Sequence, residues 1–206
     1  MKTVQDNFWM GEFGNKYIPR NQNQQLISSS ISMYSKILAK TRGVNSILEF
    51  GANIGVNLIA IQQLFSNIEL SALEINAIAV KELKKLSLKK IYHASLFDYK
   101  VDYQRDFVFT RGVLIHLNPD RLQDTYQVLY ESSKRYICLT EYYNPVPVMI
   151  PYHGQNDRLF KRDFAGELMD KYKDLKLVDY GFVYHRDSNF PQDDVTWFLL
   201  EKTKGE

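Results

Sequence analysis

The residue types best suited to ligand chemistry lie between Ser46 and Asn76. Gly51 and Gly55 follow a first apolar stretch, and Glu74 follows a second one. Glycines in a turn let a ligand approach the backbone closely, and amides at a helix start can donate hydrogen bonds to it. A carboxylate at the end of the second strand can accept both hydroxyls of a ribose. The pattern predicts a nucleotide-type site; the plain alternative is a strand–helix turn that binds nothing.

Local patterns predict the elements that must position these residues. Residues 47–50 are a short apolar run typical of a buried strand, and apolar residues at helical spacing begin after Gly55. A second apolar strand is predicted at residues 68–73. This order of elements is half of a nucleotide-binding βαβ unit: a strand, a glycine turn, a helix, a second strand and an acid.

The rest of the chain continues this alternation. Helices are predicted at residues 28–38, 77–86 and 163–172, and from Asn118 and Pro119 onward. Strands are predicted at residues 91–93, 106–110, 135–141, 175–184 and 195–200. Because no helix separates the last two strands, they should pair antiparallel. We expect a single α/β domain over residues 1–206, with an N-terminal segment and helix (1–45) and a Rossmann-like core (46–206). Its seven-stranded sheet should be mostly parallel and end in an antiparallel hairpin.

Composition and charge exclude several classes of protein. A net charge of +2 without a long Lys or Arg block argues against a nucleic-acid partner. The N-terminus lacks the apolar core of a signal peptide, and no run of about 18 apolar residues predicts a membrane span. The single Cys138, in an apolar strand, predicts a buried structural thiol in a reducing compartment, so we expect a cytoplasmic location. His153 and His185 have no companions at metal-ligand spacing, so no metal is predicted.

The turn Glu49-x-Gly51-x-Asn53-x-Gly55 resembles the first motif of class I S-adenosylmethionine-dependent methyltransferases, which has three glycines after the acid. Asn53 replaces the middle glycine, and asparagine tolerates the left-handed backbone better than most residues. The resemblance implies S-adenosylmethionine as cofactor, with this turn at its methionine end and Glu74 at its ribose. It further implies Ile75 and Leu96 around the adenine, Ser95 at the adenine edge, and Arg111 and Gly112 close to the sulfonium.

More narrowly, the chain is similar to the pseudaminic acid biosynthesis-associated methylases. The similarity lies in stretches from both ends and the middle of the chain, at residues 8–21, 49–58, 111–120, 141–147, 158–166 and 193–202. It implies methyl transfer to an amine or hydroxyl-type group of a nonulosonic, pseudaminic acid-like sugar or its activated precursor, for the modification of bacterial surface glycans. The implied partner is an acidic or nucleotide-activated sugar.

The N-terminal residues 1–25 combine aromatic residues, glycines and Pro19, which predicts a loop with about one turn of helix. Two roles stay open for this segment. It can close over the cofactor as a lid, with Tyr17 and Arg20 near the methionine carboxylate. Alternatively, its aromatic residues can simply cover one end of the core.

Two residues that follow the predicted fourth and fifth strands are candidate catalytic groups. His116 suits a general base because the unperturbed pKa of histidine is about 6.5. The alternative is a core histidine that donates to a main-chain carbonyl. Glu141 ends the fifth strand at the sheet edge where ligands bind in such folds. It can serve as a base or hold the acceptor molecule. Its alternative is a carboxylate that caps or pairs near the sheet edge.

The section after the fifth strand is predicted to be irregular and to carry the substrate loop. Its first residues, Tyr142, Tyr143 and Asn144, can line a pocket. A basic cluster follows, and such residues can bind an acidic sugar because Arg grips a carboxylate through two hydrogen bonds. Pairing with neighbouring acids is the structural alternative. The cluster consists of Arg158, Lys161 and Arg162.

Other functional classes stay open beside a sugar methyltransferase. A nucleotide-dependent oxidoreductase is disfavoured by the motif spacing and by the terminal hairpin. A methyltransferase acting on RNA or protein is disfavoured by the weak charge bias. A methyltransferase for another small molecule and a cofactor-binding scaffold without turnover both remain compatible with the sequence.

Overall fold

The computed structural model describes residues 3–21, 23–152 and 155–203, without the side chains of residues 20, 21, 152 and 155–158. Strands in this part of the chain are β1 (Ser46–Phe50), β2 (Glu69–Glu74), β3 (Lys90–His93), β4 (Arg105–Arg111), β5 (Ser133–Glu141), β6 (Val148–Tyr152), β7 (Gln155–Lys161), β8 (Leu175–Val183) and β9 (Val195–Lys202). Helices are α1 (Val4–Met10), α2 (Glu12–Tyr17), α3 (Gln24–Leu38), α4 (Val56–Leu64), α5 (Ala77–Leu83), α6 (Leu122–Ser132) and α7 (Phe164–Lys171). Among the described helices, none has the length and hydropathy needed to cross a bilayer.

Seven strands form one sheet in the order β3-β2-β1-β4-β5-β9-β8. The central strand β1 pairs in parallel with β2 and β4, so that Ile47 lies opposite Leu70 on one side and Phe107 on the other. β9 pairs antiparallel with both β5 and β8. The predicted α/β fold, with a mostly parallel sheet and antiparallel terminal strands, is confirmed. Ligands of such sheets bind outside the carboxyl ends of the parallel strands, where the strand order reverses between β1 and β4.

The sheet is buried on both faces, which explains why its central strands are continuous apolar runs. On one face Ile47 shares a buried cluster with Ile61 of α4, and on the other Leu48 shares one with Leu129 of α6. Burying each such side chain contributes about 1.5–3 kcal/mol before conformational entropy is subtracted. Cys138 lies within this core, and burial raises the pKa of its thiol to about 12, as expected for a structural cysteine.

The N-terminal segment differs from the predicted loop, because it forms α1, α2 and a 3-10 turn over Ile18–Asn21. A capping box begins α1: Asp6 N donates to Thr3 Oγ1 (3.0 Å) and Thr3 N donates to Asp6 Oδ2 (2.8 Å). Gly11 separates the two helices. Gly11 therefore divides the segment into two short helices, and Gly14 is accommodated within the second.

The section after β5 is also more regular than predicted. β6 and β7 pair antiparallel as a separate two-stranded sheet, with Met149 opposite Phe160. The prediction of an irregular section was therefore wrong for these residues. Pro151 lies within β6, and proline is tolerated in a strand that leaves an edge unpaired. β7 packs against the 3-10 turn Leu114–His116, so the hairpin reaches the carboxyl edge of the main sheet.

The predicted helix start at Asn118 and Pro119 is present, but it begins as a 3-10 turn. This turn spans Pro119–Arg121 and leads directly into α6. Asn118 Oδ1 accepts a hydrogen bond from the amide of Asp120 (3.0 Å), the role of an N-terminal cap.

Candidate active site

The turn after β1 has the backbone that its sequence predicts. Gly51, Asn53 and Gly55 all have positive φ, at 72°, 49° and 85°. Asparagine thus takes the left-handed conformation at the position where the motif has its middle glycine. Gly51 also needs to be glycine for space, because an added Cβ would lie 2.5 Å from Val113 Cγ2. The turn is therefore specified residue by residue.

This turn borders a cavity of about 260 Å³ at the carboxyl ends of β1, β2 and β4. Its position is the one expected for a ligand site in an open parallel sheet. Most of the predicted cofactor residues lie on its wall, together with one candidate base and one candidate substrate residue. These are Tyr17, Glu49, Gly51, Asn53, Glu74, Ile75, Leu96, Arg111, Gly112, His116 and Tyr142.

Glu74 links the turn to the next helix. Its Oε2 accepts a hydrogen bond from Asn53 N and its Oε1 accepts one from Asn76 N, both at 2.7 Å. Burial raises the pKa of the Glu74 carboxyl, while these backbone amides oppose the rise. The amide of Ile75 also favours the charged form, and a carboxylate has about four acceptor positions, so Glu74 can still accept a hydrogen bond from a ligand hydroxyl.

The N-terminal segment covers this end of the cavity through Asn76. The Asn76 side chain caps α5 with Oδ1, which accepts from Ile78 N at 2.9 Å. Its Nδ2 donates to the backbone oxygen of Trp9 (3.0 Å) and to Asn15 Oδ1 (2.9 Å). One side chain therefore joins the predicted ribose site to the segment that lies over it.

Glu49 occupies the other end of the turn and is only 1% exposed. Its Oε1 accepts a hydrogen bond from Asn57 Nδ2 at 2.6 Å. Its Oε2 is buried and has no hydrogen-bond partner among the described residues, although Glu49 lines the cavity. Burial raises the pKa of this carboxyl to about 8. A buried carboxylate oxygen left unpaired at a cavity suits a cationic ligand group.

Arg111 connects α3 and α4 with the loop before β9. Its Nη1 donates to Asn57 Oδ1 (2.7 Å) and Ser30 Oγ (2.9 Å), and its Nη2 donates to Gln192 Oε1 (2.6 Å). Gln192 Nε2 in turn donates to the backbone oxygen of Ser29 (2.6 Å). We call this chain of hydrogen bonds, together with the Asn57–Glu49 bond, the arginine relay. It holds the guanidinium in place beside the cavity.

His116 lies on the 3-10 turn Leu114–His116 and faces the cavity next to the N-terminal segment. Its ring centroid is 4.8 Å from that of Trp9. Glu141 lies behind this turn, outside the cavity wall. The Glu141 carboxylate accepts from Val113 N (3.1 Å) and Ile115 N (3.4 Å), and burial raises its pKa to about 7. Glu141 thus fixes the backbone that carries His116.

Two of the predicted cofactor residues lie off the cavity wall. Gly55 begins α4, where an added Cβ would lie 2.6 Å from Leu86 Cδ1 and 2.9 Å from Leu83 Cδ2. Ser95 Oγ accepts a hydrogen bond from the amide of Asp98 at 3.1 Å and so stabilises the turn after β3. The side chain of Arg20 lies outside the described part of the structure.

The candidate substrate residues fall into two groups. Tyr142 lines the cavity, and Lys161 Nζ lies 4.9 Å from the centre of its ring. The structure places the others away from the cavity. Tyr143 packs against Phe198 with ring centroids 5.6 Å apart, Asn144 Nδ2 donates to the Val146 oxygen at 2.6 Å, and Arg162 Nε is 2.6 Å from Glu167 Oε1. The Arg158 side chain lies outside the described part of the structure.

Several wall and support residues were not predicted from the sequence. Asn57 and Asn76 each follow a predicted site residue by two positions, and that proximity was the only local signal. The others come from distant segments that the fold brings to the cavity. They are Asp6, Trp9, Gln192 and Asp193. Among the described residues, no group of three or more His, Cys, Asp or Glu side chains is arranged to hold a metal ion.

Comparisons with known proteins agree with this architecture. Neither a scan against protein-family models nor a search of curated proteins gave a match. Among solved structures, the plantazolicin methyltransferase BpumL in complex with SAH is 13% identical, with a TM-score of 0.66 over 98% of this chain and 95% of that chain. The Burkholderia thailandensis 1,6-didemethyltoxoflavin-N1-methyltransferase is 11% identical, with a TM-score of 0.69 over 98% and 88%. Magnesium protoporphyrin IX methyltransferase from Synechocystis is 10% identical, with a TM-score of 0.66 over 98% and 99%.

At these identities the likeness establishes the fold alone. It extends over nearly the whole length of this chain in all three comparisons. The chain therefore has the Rossmann-like fold of class I S-adenosylmethionine-dependent methyltransferases.

Proposed function

We propose that this protein is an S-adenosylmethionine-dependent methyltransferase. The observation that carries the proposal is the pair of buried carboxylates on one cavity wall, Glu74 at the end of β2 and Glu49 with an unpartnered Oε2. A ribose offers hydroxyl donors to the first, and the ammonium of a methionine moiety offers a positive charge to the second. The solved structures with SAH or SAM bound support the same cofactor.

The residues of the cavity fit that cofactor along its length. Ile75 and Leu96 supply apolar surface for the adenine beside Glu74. The left-handed turn over Gly51 and Asn53 lies on the cavity wall, where a ligand can approach its backbone. Bound there, S-adenosylmethionine would supply a methyl group already activated by its positive sulfur.

The chain then has to align the acceptor and exclude water, which can supply much of the rate. Trp9, Tyr17 and Tyr142 line this space, so the described N-terminal helices supply part of its wall. His116 lies on the same wall and can remove a proton from an amine or hydroxyl acceptor. We assign it this role, with Glu141 as the residue that positions its backbone.

We further propose that the acceptor is a nonulosonic, pseudaminic acid-like sugar or its activated precursor. This finer assignment is supported by the sequence resemblance. The charges of the cavity restrict how such a sugar can bind. Asp6 and Asp193 line the wall, and the Arg111 guanidinium is engaged by the arginine relay. The reacting amine or hydroxyl should therefore point inward, and the acidic part should lie toward Lys161, next to Tyr142.

Calorimetric titration with S-adenosylmethionine and S-adenosylhomocysteine, with NAD as control, tests the cofactor. Micromolar binding of both methionine nucleosides and no heat with NAD is the expected result. Binding of NAD alone would replace the proposal with an oxidoreductase. A product screen by mass spectrometry with free and nucleotide-activated acidic sugars then tests the acceptor. A gain of one methyl group on a non-sugar small molecule, but on no sugar, would refute the finer assignment and keep the coarser one.

A further inference from the structure

Exposed apolar side chains are concentrated at one edge of the main sheet. β8 is the edge strand, and its Tyr180 and Phe182 are 63% and 58% exposed. Neighbouring exposed side chains extend this surface along β8, beyond its end, and past the end of β5. We call it the aromatic face, and it comprises Tyr143, Leu177, Tyr180, Phe182 and Tyr184. Single exposed apolar residues are ordinary, but a cluster of this size marks an interaction surface.

The pairing of β8 with β9 shows that these side chains share one face of the sheet. Leu177 lies opposite Leu200, and after a bulge Tyr180 lies opposite Phe198. Because residues two apart on β9 point the same way, Leu177 and Tyr180 also point the same way. The Tyr180 and Phe198 rings stack with centroids 6.2 Å apart, and Tyr143 lies 5.6 Å from Phe198 on its other side. The face is therefore continuous.

One backbone donor of β8 is occupied, which bears on whether a partner would add to the strand as an extended peptide or pack on its side chains. Asp179 Oδ1 accepts a hydrogen bond from Tyr180 N at 2.9 Å, and Asp179 Oδ2 lies 3.3 Å from Lys40 Nζ. A side chain that occupies the backbone donor disfavours addition of an extended peptide to the strand. The backbone donor of Tyr180 is therefore occupied, and the aromatic face offers its side chains to a partner surface.

The size of the face matches the centre of a symmetric interface. With about 150–250 Å² for each large side chain, the exposed parts of the five residues amount to roughly 500 Å². A stable dimer buries about 800 Å² per partner, of which the outer part is a polar rim. Arg162, which pairs with Glu167, lies beside Tyr143 and Phe198 and can form part of such a rim. In a two-fold dimer one patch serves both copies, so no second surface is required.

We propose that the aromatic face is the interface of a homodimer in which the β8–β9 faces of two copies pack on each other. Tyr180 and Phe182 lie at the centre of this interface and Tyr143 lies toward its margin. Tyr143 directly follows Tyr142, a residue of the cavity wall, so the interface runs close to the acceptor side of the site.

Sedimentation equilibrium on the full chain, over about 1 to 100 µM, tests the proposal because a dimer dissociates on dilution. The expected mass is twice 24.2 kDa at the upper concentrations. Tyr180→Lys and Phe182→Lys should each weaken dimerisation at least about tenfold, as for a residue at the centre of an interface. Phe65→Lys is the matched control, since Phe65 is 41% exposed elsewhere and should leave the mass unchanged.

Tyr180→Ser provides a milder variant if a lysine disturbs folding, and circular dichroism shows whether each variant is folded. A folded Tyr180→Ser protein with weakened dimerisation supports the interface. A wild-type chain that is monomeric at every concentration would overturn the proposal. So would a dimer that the Tyr180 and Phe182 variants leave unchanged.

Discussion

The raised pKa of the Glu49 carboxyl leads us to expect that cofactor binding releases a proton and depends on pH. Burial raises the pKa of its carboxyl to about 8, so about 90% of the ligand-free protein carries a neutral Glu49 at pH 7. Asn57 and Arg111 favour the charged form, while Glu74 opposes it. Placing the ammonium of S-adenosylhomocysteine against the unpartnered Oε2 lowers this pKa, because an opposite charge favours the carboxylate.

The sign and size of the effect follow from linkage. The bound state holds Glu49 charged and the free state holds it protonated, so affinity rises with pH until the free-state pKa is reached. Between about pH 6 and pH 7.5 the dissociation constant should fall roughly 20-fold, with the ligand's own amine still mostly protonated. The ligand-free fold shows the opposite trend. The pKa of Glu49 is higher in the folded chain than in the unfolded chain. Its contribution to the free energy of unfolding is therefore fully present below the pKa of the unfolded chain and is lost as the pH rises toward 8.

Calorimetry with S-adenosylhomocysteine in two buffers of different ionisation enthalpy measures both the affinity and the number of protons released. We expect release of nearly one proton at pH 7. Glu49→Gln keeps an acceptor for Asn57 but cannot titrate, so it should abolish the release and bind about 10- to 100-fold more weakly at pH 7.5. His116 lines the same cavity, so His116→Gln is the control and should keep the slope. An unchanged slope in Glu49→Gln would refute the assignment of Glu49 to the ammonium.

Three further predictions concern the turn, the ribose and the base. Glu74→Ala removes charge-assisted hydrogen bonds worth roughly 1.5–3 kcal/mol and should weaken S-adenosylhomocysteine binding about 10- to 100-fold; unchanged calorimetric affinity in a folded variant would mean that the ribose site lies elsewhere. Gly51→Ala should lower the melting temperature more than Gly112→Ala, because both glycines have positive φ but only the first Cβ meets Val113; equal melting shifts by calorimetric scanning would contradict the packing argument. His116→Gln should reduce single-turnover methyl transfer about 10²- to 10⁴-fold with nearly unchanged cofactor affinity, and a comparable rate would leave His116 a wall residue.

The turn after β1 and the acid at the end of β2 were predictable because their information is local. Gly51, Asn53, Gly55 and Glu74 lie within one βαβ unit, where spacing in the sequence translates directly into position in space. Asn53 departs from the glycine of the motif but takes the same left-handed backbone conformation. The match to the motif therefore depended on the conformations that a residue allows, not on its identity. The mostly parallel sheet with an antiparallel end followed from the same alternation of periodic segments, whereas the strand order came from the structure alone.

The N-terminal helices and the β6–β7 hairpin were missed because their stability comes from contacts distant in sequence. α1 is only one to two turns long, too short to be stable by itself, and its Trp9 oxygen accepts from Asn76 across the cavity. The hairpin contains a proline, which counts against a strand in isolation, yet it packs on the turn that carries His116. Local propensity was overridden by tertiary packing in both cases.

The arginine relay joins residues that were predictable from local sequence with residues that only the complete fold brings to the cavity. Glu49 and Asn57 belong to the locally encoded βα turn, whereas Gln192 belongs to a loop that reaches the site only when the antiparallel end of the sheet has formed. Arg111 joins them, because its guanidinium donates to both sides. A charge placed against Glu49 therefore acts through three hydrogen bonds on Gln192, whose neighbour Asp193 also lines the cavity.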